Sequence, residues 1–190
     1  YELPVYRKHL ERRGNSQTIM LGFSDGTKDG GYLKANWEIY ETKEQLTKIS
    51  DENNIKVIFF DGRGGPPARG GGKTHDFYAS QGKTIANNKI EITIQGQTIT
   101  SVFGNKDQAK YNFEQLLTAG IENDVFKNSK KDLTEKERNL IQELAEISFR
   151  KYSELKAHPM FVPYLQEYLK RETEGIEIIT QGKADPFRIL

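Results

Sequence analysis

Apolar residues in the first third of the chain form two short runs, separated by a longer amphipathic segment. The first run, Ile19 to Phe23, ends at the glycine-rich stretch SDGTKDGG, residues 24–31. A short apolar run followed by glycines predicts a buried strand that ends in a loop. Residues 32–52 then carry apolar side chains at helical spacing, and Val57 to Phe60 form the second run. The pattern predicts a strand, a loop, a helix and a second strand.

This order of elements is that of a βαβ unit. Two strands joined by a long helix favour parallel pairing, with helices covering the sheet. The carboxyl ends of parallel strands meet at one edge, which is where α/β folds bind ligands. We therefore expect the loops that follow the two strands to share a cleft.

One further strand is expected before the chain becomes helical. Residues 90–99, IEITIQGQTI, alternate apolar and polar side chains and predict a strand that is interrupted at Gly96. Helical periodicity begins near Gln108.

The second half of the chain carries signals for two helices. Thr134 and Glu137 have the spacing of a capping box, which predicts that a long helix begins near Glu135. Pro159 interrupts this helix, and a last helix is expected over residues 161–172.

The segment GRGGPPARGGGKTH, residues 62–75, follows the second strand and has three ordinary interpretations. It could be a flexible linker, although linkers rarely follow a buried strand directly. It could be a nucleotide-binding P-loop, but Pro67 stands where that pattern needs glycine. It could be an RNA-binding segment, because RGG occurs at 63–65 and 69–71. Such segments normally lie in repetitive, disordered surroundings.

An anion-binding role is favoured over these interpretations. Glycines allow backbone N–H groups to converge on a small oxyanion, and a guanidinium can hold two of its oxygens at once. Arg63 and Arg69 supply two guanidinium groups, and Pro66 and Pro67 stiffen the chain between them.

The stretch after the first strand adds a carboxylate and an ammonium group. Asp25 is a candidate ligand for a hard divalent cation, and Lys28 provides a mobile positive charge. The ordinary alternatives are a turn or helix-capping aspartate and an exposed lysine. Together with the arginines, these groups predict a site for a phosphorylated, carboxylated substrate.

Composition limits the possible partners and compartment. The 28 basic and 27 acidic residues nearly balance, which argues against a nucleic-acid partner, and the chain has no cysteine. No apolar run approaches the roughly 20 residues that a membrane-spanning helix needs. We expect a cytoplasmic protein without a membrane or nucleic-acid partner. The first residue is Tyr1 rather than methionine, so we also expect the chain to be a piece of a larger one.

Three motifs resemble those of the phosphoenolpyruvate carboxylase family. MLGFSDGTKDGG at 20–31 resembles the lysine-bearing active-site motif, and FDGRGGPPARGGGKTH at 60–75 resembles the mobile glycine loop. IEITIQGQTI at 90–99 is similar to the strand that follows, usually written with QGE. HPMFVPYL, which ends at Leu165, also resembles the family, but the resemblance stops near Tyr164.

The resemblance implies a fold and a reaction. Family members are (β/α)₈ barrels with many added helices, and they assemble as tetramers. They convert phosphoenolpyruvate and bicarbonate to oxaloacetate and phosphate with Mg²⁺ or Mn²⁺, through carboxyphosphate and an enolate. We therefore expect an α/β fold, a partial (β/α)₈ TIM-barrel fragment with additional long helices. Residues 1–105 are expected to form the barrel segment and residues 106–190 a helical segment.

The resemblance also implies residue roles. Asp25 matches a metal ligand, and Lys28 matches the motif lysine near the reacting groups. Arg63 matches the arginine that holds the substrate phosphate or carboxylate. Arg69 matches the second loop arginine, which in some members also contributes to an aspartate inhibitor pocket. The implied protein is a fragment from the C-terminal half of the enzyme, inactive alone; the alternative is a noncatalytic anion-binding or regulatory module.

Besides Gln97 in place of the glutamate of QGE, the sequence departs from the family pattern at two positions. Asp61 stands where many members carry histidine, so proton handling there is expected to differ, and Gly26 replaces a serine. His75 matches a histidine that follows the loop in many relatives, but we favour a structural role for it. His9 and His158 are interpreted as structural or exposed.

Overall fold

The computed structural model describes residues 1–62, 74–87, 89–94, 97–125 and 132–180. The described part is mostly helical and contains one small sheet. In chain order its elements are α1 (Pro4–Arg12), β1 (Ser16–Leu21), α2 (Phe23–Gly30), α3 (Tyr32–Glu52), β2 (Lys56–Asp61), α4 (Thr74–Ala79), β3 (Ile90–Ile92), α5 (Gln97–Phe103), α6 (Lys106–Val125), α7 (Glu135–Ala157) and α8 (Phe161–Thr180).

The three strands form a parallel sheet in the order β1-β2-β3. Leu21 of β1 pairs with Asp61 of β2, which pairs with Ile92 of β3, so the carboxyl ends of the strands lie side by side. The long helix α3 connects β1 to β2 and packs on β2. The predicted βαβ unit and its parallel pairing are thus confirmed, and the fold is a mixed α/β arrangement.

The glycine-rich stretch at 24–31 was predicted to be a loop, and this prediction is wrong. It forms α2, which begins one residue after β1. Asp25 lies in the first turn and Lys28 in the last, so each charge complements the helix dipole at its end. Gly31, with φ of 77°, ends the helix in a conformation that only glycine adopts readily.

The strand predicted over residues 90–99 is shorter than expected. Only Ile90–Ile92 is a strand, residues 95–96 lie outside the described residues, and Gln97 already begins α5. α6 begins at Lys106, close to the predicted start of helical periodicity.

The two helices expected in the second half are present. α7 begins at Glu135 as predicted, because Thr134 and Glu137 cap each other through the amide of each residue. α8 begins at Phe161 as predicted but continues to Thr180, beyond the expected end.

The core of the sheet region forms around β2. Val57 and Phe59 point to one face of this strand and are buried together with Ile85. Partly buried neighbours complete the cluster: Ile19, Leu21, Tyr40, Leu46 and Ala86. Asp61, two residues after Phe59, points to the same face of β2 and is also fully buried. A carboxylate therefore follows the two apolar side chains at the end of the strand.

The chain divides into two compact units, Tyr1–Ser148 and Phe149–Leu190. The first unit contains the sheet and every residue discussed below as part of the site. Across the described residues, none of the helices combines the length and the apolar character needed to cross a membrane.

Candidate functional site

The tips of β1 and β2 meet through the backbone. The amide of Gly62 donates a 3.0 Å hydrogen bond to the carbonyl oxygen of Leu21. A Cβ on Gly62 would lie 3.0 Å from that oxygen and 3.9 Å from the Cα of Gly22. Gly62, where the second glycine-rich stretch begins, therefore lies against Gly22, the residue that precedes α2. Because glycine has no side chain, the two backbones can approach this closely.

α2 carries both charged residues predicted from the first motif. Asp25 and Lys28 are three residues apart on one helix, a spacing that puts their side chains on the same side, and both are exposed. The N-cap of α2 is Gly22, so Asp25 is not the capping residue. Its Oδ2 would lie 3.4 Å from a Cβ on Gly22, which brings the carboxylate back over the start of the helix.

Arg63 and Arg69 lie outside the described residues. Arg63 follows Gly62 directly in the sequence, and Gly62 is fixed beside the start of α2. The structure thus brings the beginning of the arginine-bearing segment next to the helix with Asp25 and Lys28, and the positions of the two guanidinium groups stay predictions.

A buried charge cluster that the sequence did not predict lies at the tip of β2. The Nζ of Lys43, on α3, is 2.8 Å from Oδ2 of Asp61, and the hydroxyl of Tyr78, on α4, donates a 2.7 Å hydrogen bond to the same oxygen. Lys43 is 1% exposed, Asp61 0% and Tyr78 3%. Burial of either charge alone would be costly, so the pairing is what makes the arrangement possible.

Aromatic rings surround the ammonium group of this cluster. The Nζ of Lys43 lies 5.1 Å from the ring centroid of Phe59 and 5.4 Å from that of Phe77. Phe77 also makes an edge contact with Phe23 of α2, with centroids 5.6 Å apart. α4 therefore contacts both the tip of β2 and the helix that carries Asp25 and Lys28.

Two buried polar atoms near the strand tips are unsatisfied within the described part of the chain. Oδ1 of Asp61 and Oγ1 of Thr93 have no hydrogen-bond partner there. The amide of Thr93 bonds to the carbonyl of Asp61, at 3.3 Å, so both residues belong to the same corner of the sheet. Buried polar groups without partners are rare, which sets this corner apart from the apolar core beside it.

The three histidines make local contacts. Nδ1 of His75 lies 3.2 Å from Oδ1 of Asp76. His9 stacks on Tyr6, and Nδ1 of His158 accepts a hydrogen bond from the amide of Met160. These contacts fit the structural roles predicted for them, and a chemical role of His75 has no direct support.

A second ionic contact, between Arg138 and Glu44, joins α7 to α3. Arg138 donates two hydrogen bonds to Glu44, at 2.6 and 2.8 Å, and Thr84 donates one at 2.5 Å. Burial pushes the pKa of Glu44 upward, but the hydrogen bonds from Arg138 and Thr84 outweigh it and hold that pKa below its ordinary value. Burial raises the pKa of the neighbouring Tyr40. The pair joins the first turn of α7 to α3.

A complete metal site is not formed by the described residues. No group of three histidine, cysteine, aspartate or glutamate side chains comes together in that part of the chain. Asp25 is an exposed carboxylate and can supply one oxygen ligand. A divalent cation held there needs further ligands from elsewhere.

Known proteins with similar sequences supply an independent comparison. Residues 1–177 match the family model described as phosphoenolpyruvate carboxylase. Proteins named phosphoenolpyruvate carboxylase are 36% identical over 168 residues in Corynebacterium efficiens, 37% over 157 in Corynebacterium glutamicum and 35% over 164 in Corynebacterium diphtheriae. The alignments cover 88%, 82% and 86% of this chain but only 18%, 17% and 18% of those proteins. The chain therefore spans under a fifth of the length of these relatives.

Proposed function

Because this chain belongs to the phosphoenolpyruvate carboxylase family, we propose that it forms part of an active site that carboxylates phosphoenolpyruvate with bicarbonate. The products are oxaloacetate and phosphate. The observation that carries the proposal is the contact between Gly62 and Leu21, which joins the two motifs that resemble the family's active-site motifs. The family match over residues 1–177 supports it independently.

Three cations have proposed roles with the substrate. Lys28 lies near the reacting groups, Arg63 holds the phosphate or carboxylate, and Arg69 supports it as the second arginine of the loop. Negative charge builds on the transferring phosphoryl group and on the enolate, so fixed positive groups stabilise the transition state more than the ground state. Arg69 also contributes to an aspartate inhibitor pocket in this proposal.

Asp25 is the proposed ligand of Mg²⁺ or Mn²⁺. Its exposed carboxylate, carried back over the start of α2, fits a hard cation, with the remaining ligands supplied from outside the described residues. Such a cation would neutralise charge on the substrate oxygens.

The sheet is the proposed arc of a larger (β/α)₈ barrel. Its three strands are parallel and lie in sequence order, and the first two are each followed by a helix, as in such barrels. One face of α6 is apolar and exposed. It carries side chains spaced four residues apart that are 53–67% exposed: Phe113, Leu117, Ile121 and Val125. In this proposal other parts of a longer polypeptide, which forms a cytoplasmic tetramer, cover that face.

An assay of bicarbonate-dependent oxaloacetate formation tests the proposal. The complete protein that contains this chain is compared with its Lys28→Ala and Arg63→Ala variants. Each variant should lose about a hundredfold or more in kcat/KM, because a charged group that faces the transition state is removed. Lys48→Ala, on the exposed surface of α3, is the matched control and should retain wild-type rates.

Two results would contradict the proposal in different ways. Undiminished rates in both variants would remove the site assignment. Absence of oxaloacetate formation by the wild-type protein, together with phosphoenolpyruvate binding, would instead indicate a noncatalytic anion-binding module.

A further inference from the structure

The buried cluster spans the glycine-rich segment. Asp61 is the last residue of β2, immediately before Gly62, and Tyr78 lies in α4, which begins at Thr74. The 2.7 Å hydrogen bond from the Tyr78 hydroxyl to Asp61 Oδ2 therefore joins the strand that precedes the segment to the helix that follows it. Its two partners are 17 residues apart in sequence.

Lys43 fixes the same oxygen from a third direction. It lies on α3, and its Nζ is 2.8 Å from Asp61 Oδ2, so the strand tip, α3 and α4 meet at one atom. An apolar contact in this place would exclude water equally well but would not define one orientation. A hydrogen-bonded ion pair does define one, because its energy depends steeply on geometry.

We propose that Lys43, Asp61 and Tyr78 are positioning residues that form a buried clamp on the two ends of the glycine-rich segment. The clamp sets where the segment leaves β2 and where it enters α4, and so fixes Gly62, the residue before Arg63, relative to α2. This inference rests on the proposed function where it names phosphoenolpyruvate as the anion. Its structural part stands on the described contacts alone.

Two features of the fold make this clamp relevant to the site and distinguish it from a remote core contact. Gly62, next to Asp61, bonds to Leu21, the last residue of β1, two residues before α2 begins. Phe77, next to Tyr78, contacts Phe23 within α2. A shift of Asp61 or Tyr78 is therefore transmitted through its neighbour, Gly62 or Phe77, to the helix that carries Asp25 and Lys28.

Hydrogen–deuterium exchange in the complete protein tests the clamp through the Tyr78→Phe variant. This change removes only the hydroxyl, and the Lys43–Asp61 pair remains. Amides of α4 should exchange about tenfold faster, since one hydrogen bond to a charged group no longer holds the helix to β2. Tyr40→Phe, at a half-buried tyrosine of α3, is the matched control and should leave α4 at the wild-type rate. Wild-type exchange of α4 in Tyr78→Phe would overturn the clamp.

A double variant separates positioning from plain packing. Lys43→Met combined with Asp61→Leu replaces the ion pair by apolar side chains of similar size, which usually preserves or restores stability. The clamp predicts that α4 still exchanges faster than in the wild type, although the protein is as stable. Restoration of wild-type exchange by the double variant would show that packing is sufficient and would overturn the inference.

Kinetics of the same variants link the clamp to the substrate. In Tyr78→Phe the KM for phosphoenolpyruvate should rise by about tenfold or more, with a smaller fall in kcat, because a binding group is displaced. An unchanged KM with faster α4 exchange would overturn the positioning role. If the wild-type protein forms no oxaloacetate, the proposed function fails, but the exchange measurements still decide the clamp.

Discussion

The amide of Gly62 donates its hydrogen bond to the carbonyl of Leu21, and this single contact joins the tips of two strands and the beginnings of two motifs. Leu21 is followed by the helix that carries Asp25 and Lys28. Gly62 is followed by the segment that begins with Arg63. The relationship follows from parallel pairing in which Leu21 lies opposite Asp61.

Substitution of Gly62 by alanine should disturb this junction. The added Cβ would lie 3.0 Å from the Leu21 oxygen and 3.4 Å from Cε of Met20, and the backbone oxygen cannot move without shifting β1. We expect Gly62→Ala to cost about 1–3 kcal/mol in the free energy of unfolding. Urea unfolding, followed by the fluorescence of the single tryptophan, Trp37, measures the change.

Gly120→Ala is the matched control for this prediction. A Cβ on Gly120, within α6, meets nothing within 4 Å. Alanine should stabilise the helix there by about 0.5–1 kcal/mol, since it lowers the backbone entropy of the unfolded chain. Equal effects of the two substitutions would contradict the tight approach at Gly62.

The buried ion pair predicts a large loss of stability when one partner is removed. Lys43→Met should lower the free energy of unfolding by about 3–5 kcal/mol, because the Asp61 carboxylate stays buried without its cation. The same unfolding measurement applies, and addition of Asp61→Leu should recover most of the loss. A loss below about 1 kcal/mol for Lys43→Met would mean that the pair is hydrated and not buried.

Glu44 predicts a pH dependence. Its pKa is lower in the folded than in the unfolded chain. As the pH falls past the ordinary value of 4.5, the unfolded chain therefore takes up its proton before the folded chain does. The contribution of the Arg138 pair is thus present above that pH and is lost below it. Unfolding measured between about pH 6 and 3 should show the free energy of unfolding falling on the acid side as Glu44 is protonated and its bonds to Arg138 are lost.

The Glu44→Gln variant should lack this part of the acid-side fall, because the titrating group is gone. Glu11→Gln, on the exposed surface of α1, is the control and should retain it. Identical pH profiles for the wild type and Glu44→Gln would contradict the importance of the pair.

The capping box at the start of α7 predicts a measurable cost. The amide of Thr134 donates to Glu137 at 2.8 Å, and the Thr134 hydroxyl accepts from the Glu137 amide at 3.3 Å. Thr134→Ala should cost about 1 kcal/mol in unfolding free energy, whereas Thr134→Ser keeps the hydroxyl and should cost less. Comparable losses in both variants would show that the hydroxyl does not cap the helix.

The sequence was sufficient to predict the elements whose stability depends on local patterns. The two apolar runs became β1 and β2, and helical spacing over residues 32–52 became α3 with the same bounds. The capping box gave the start of α7. Parallel pairing followed from the length of the connection between the strands, and with it the meeting of the two motifs at one edge.

Other features depend on contacts that a linear pattern does not contain. α2 was taken for a loop because its glycines are loop signals, but its charges at both ends and Gly31 after it stabilise a short helix. Lys43 sits on a helix where a lysine is normally solvated, and only the fold reveals that it faces Asp61. An aspartate that ends the apolar run VIFFD, with a lysine on the helix before it, is the signal that was available.

The claim that two strand tips present their cations to one anion is tested most directly by calorimetric titration of phosphoenolpyruvate in the presence of Mn²⁺. The complete protein is compared with its Lys28→Ala, Arg63→Ala and doubly substituted variants. We expect each single change to weaken binding by about tenfold or more, and the two effects to be coupled by about 0.5–3 kcal/mol, since both side chains bind the same molecule. Wild-type affinity in the single variants, or strictly additive effects in the double variant, would contradict a shared site.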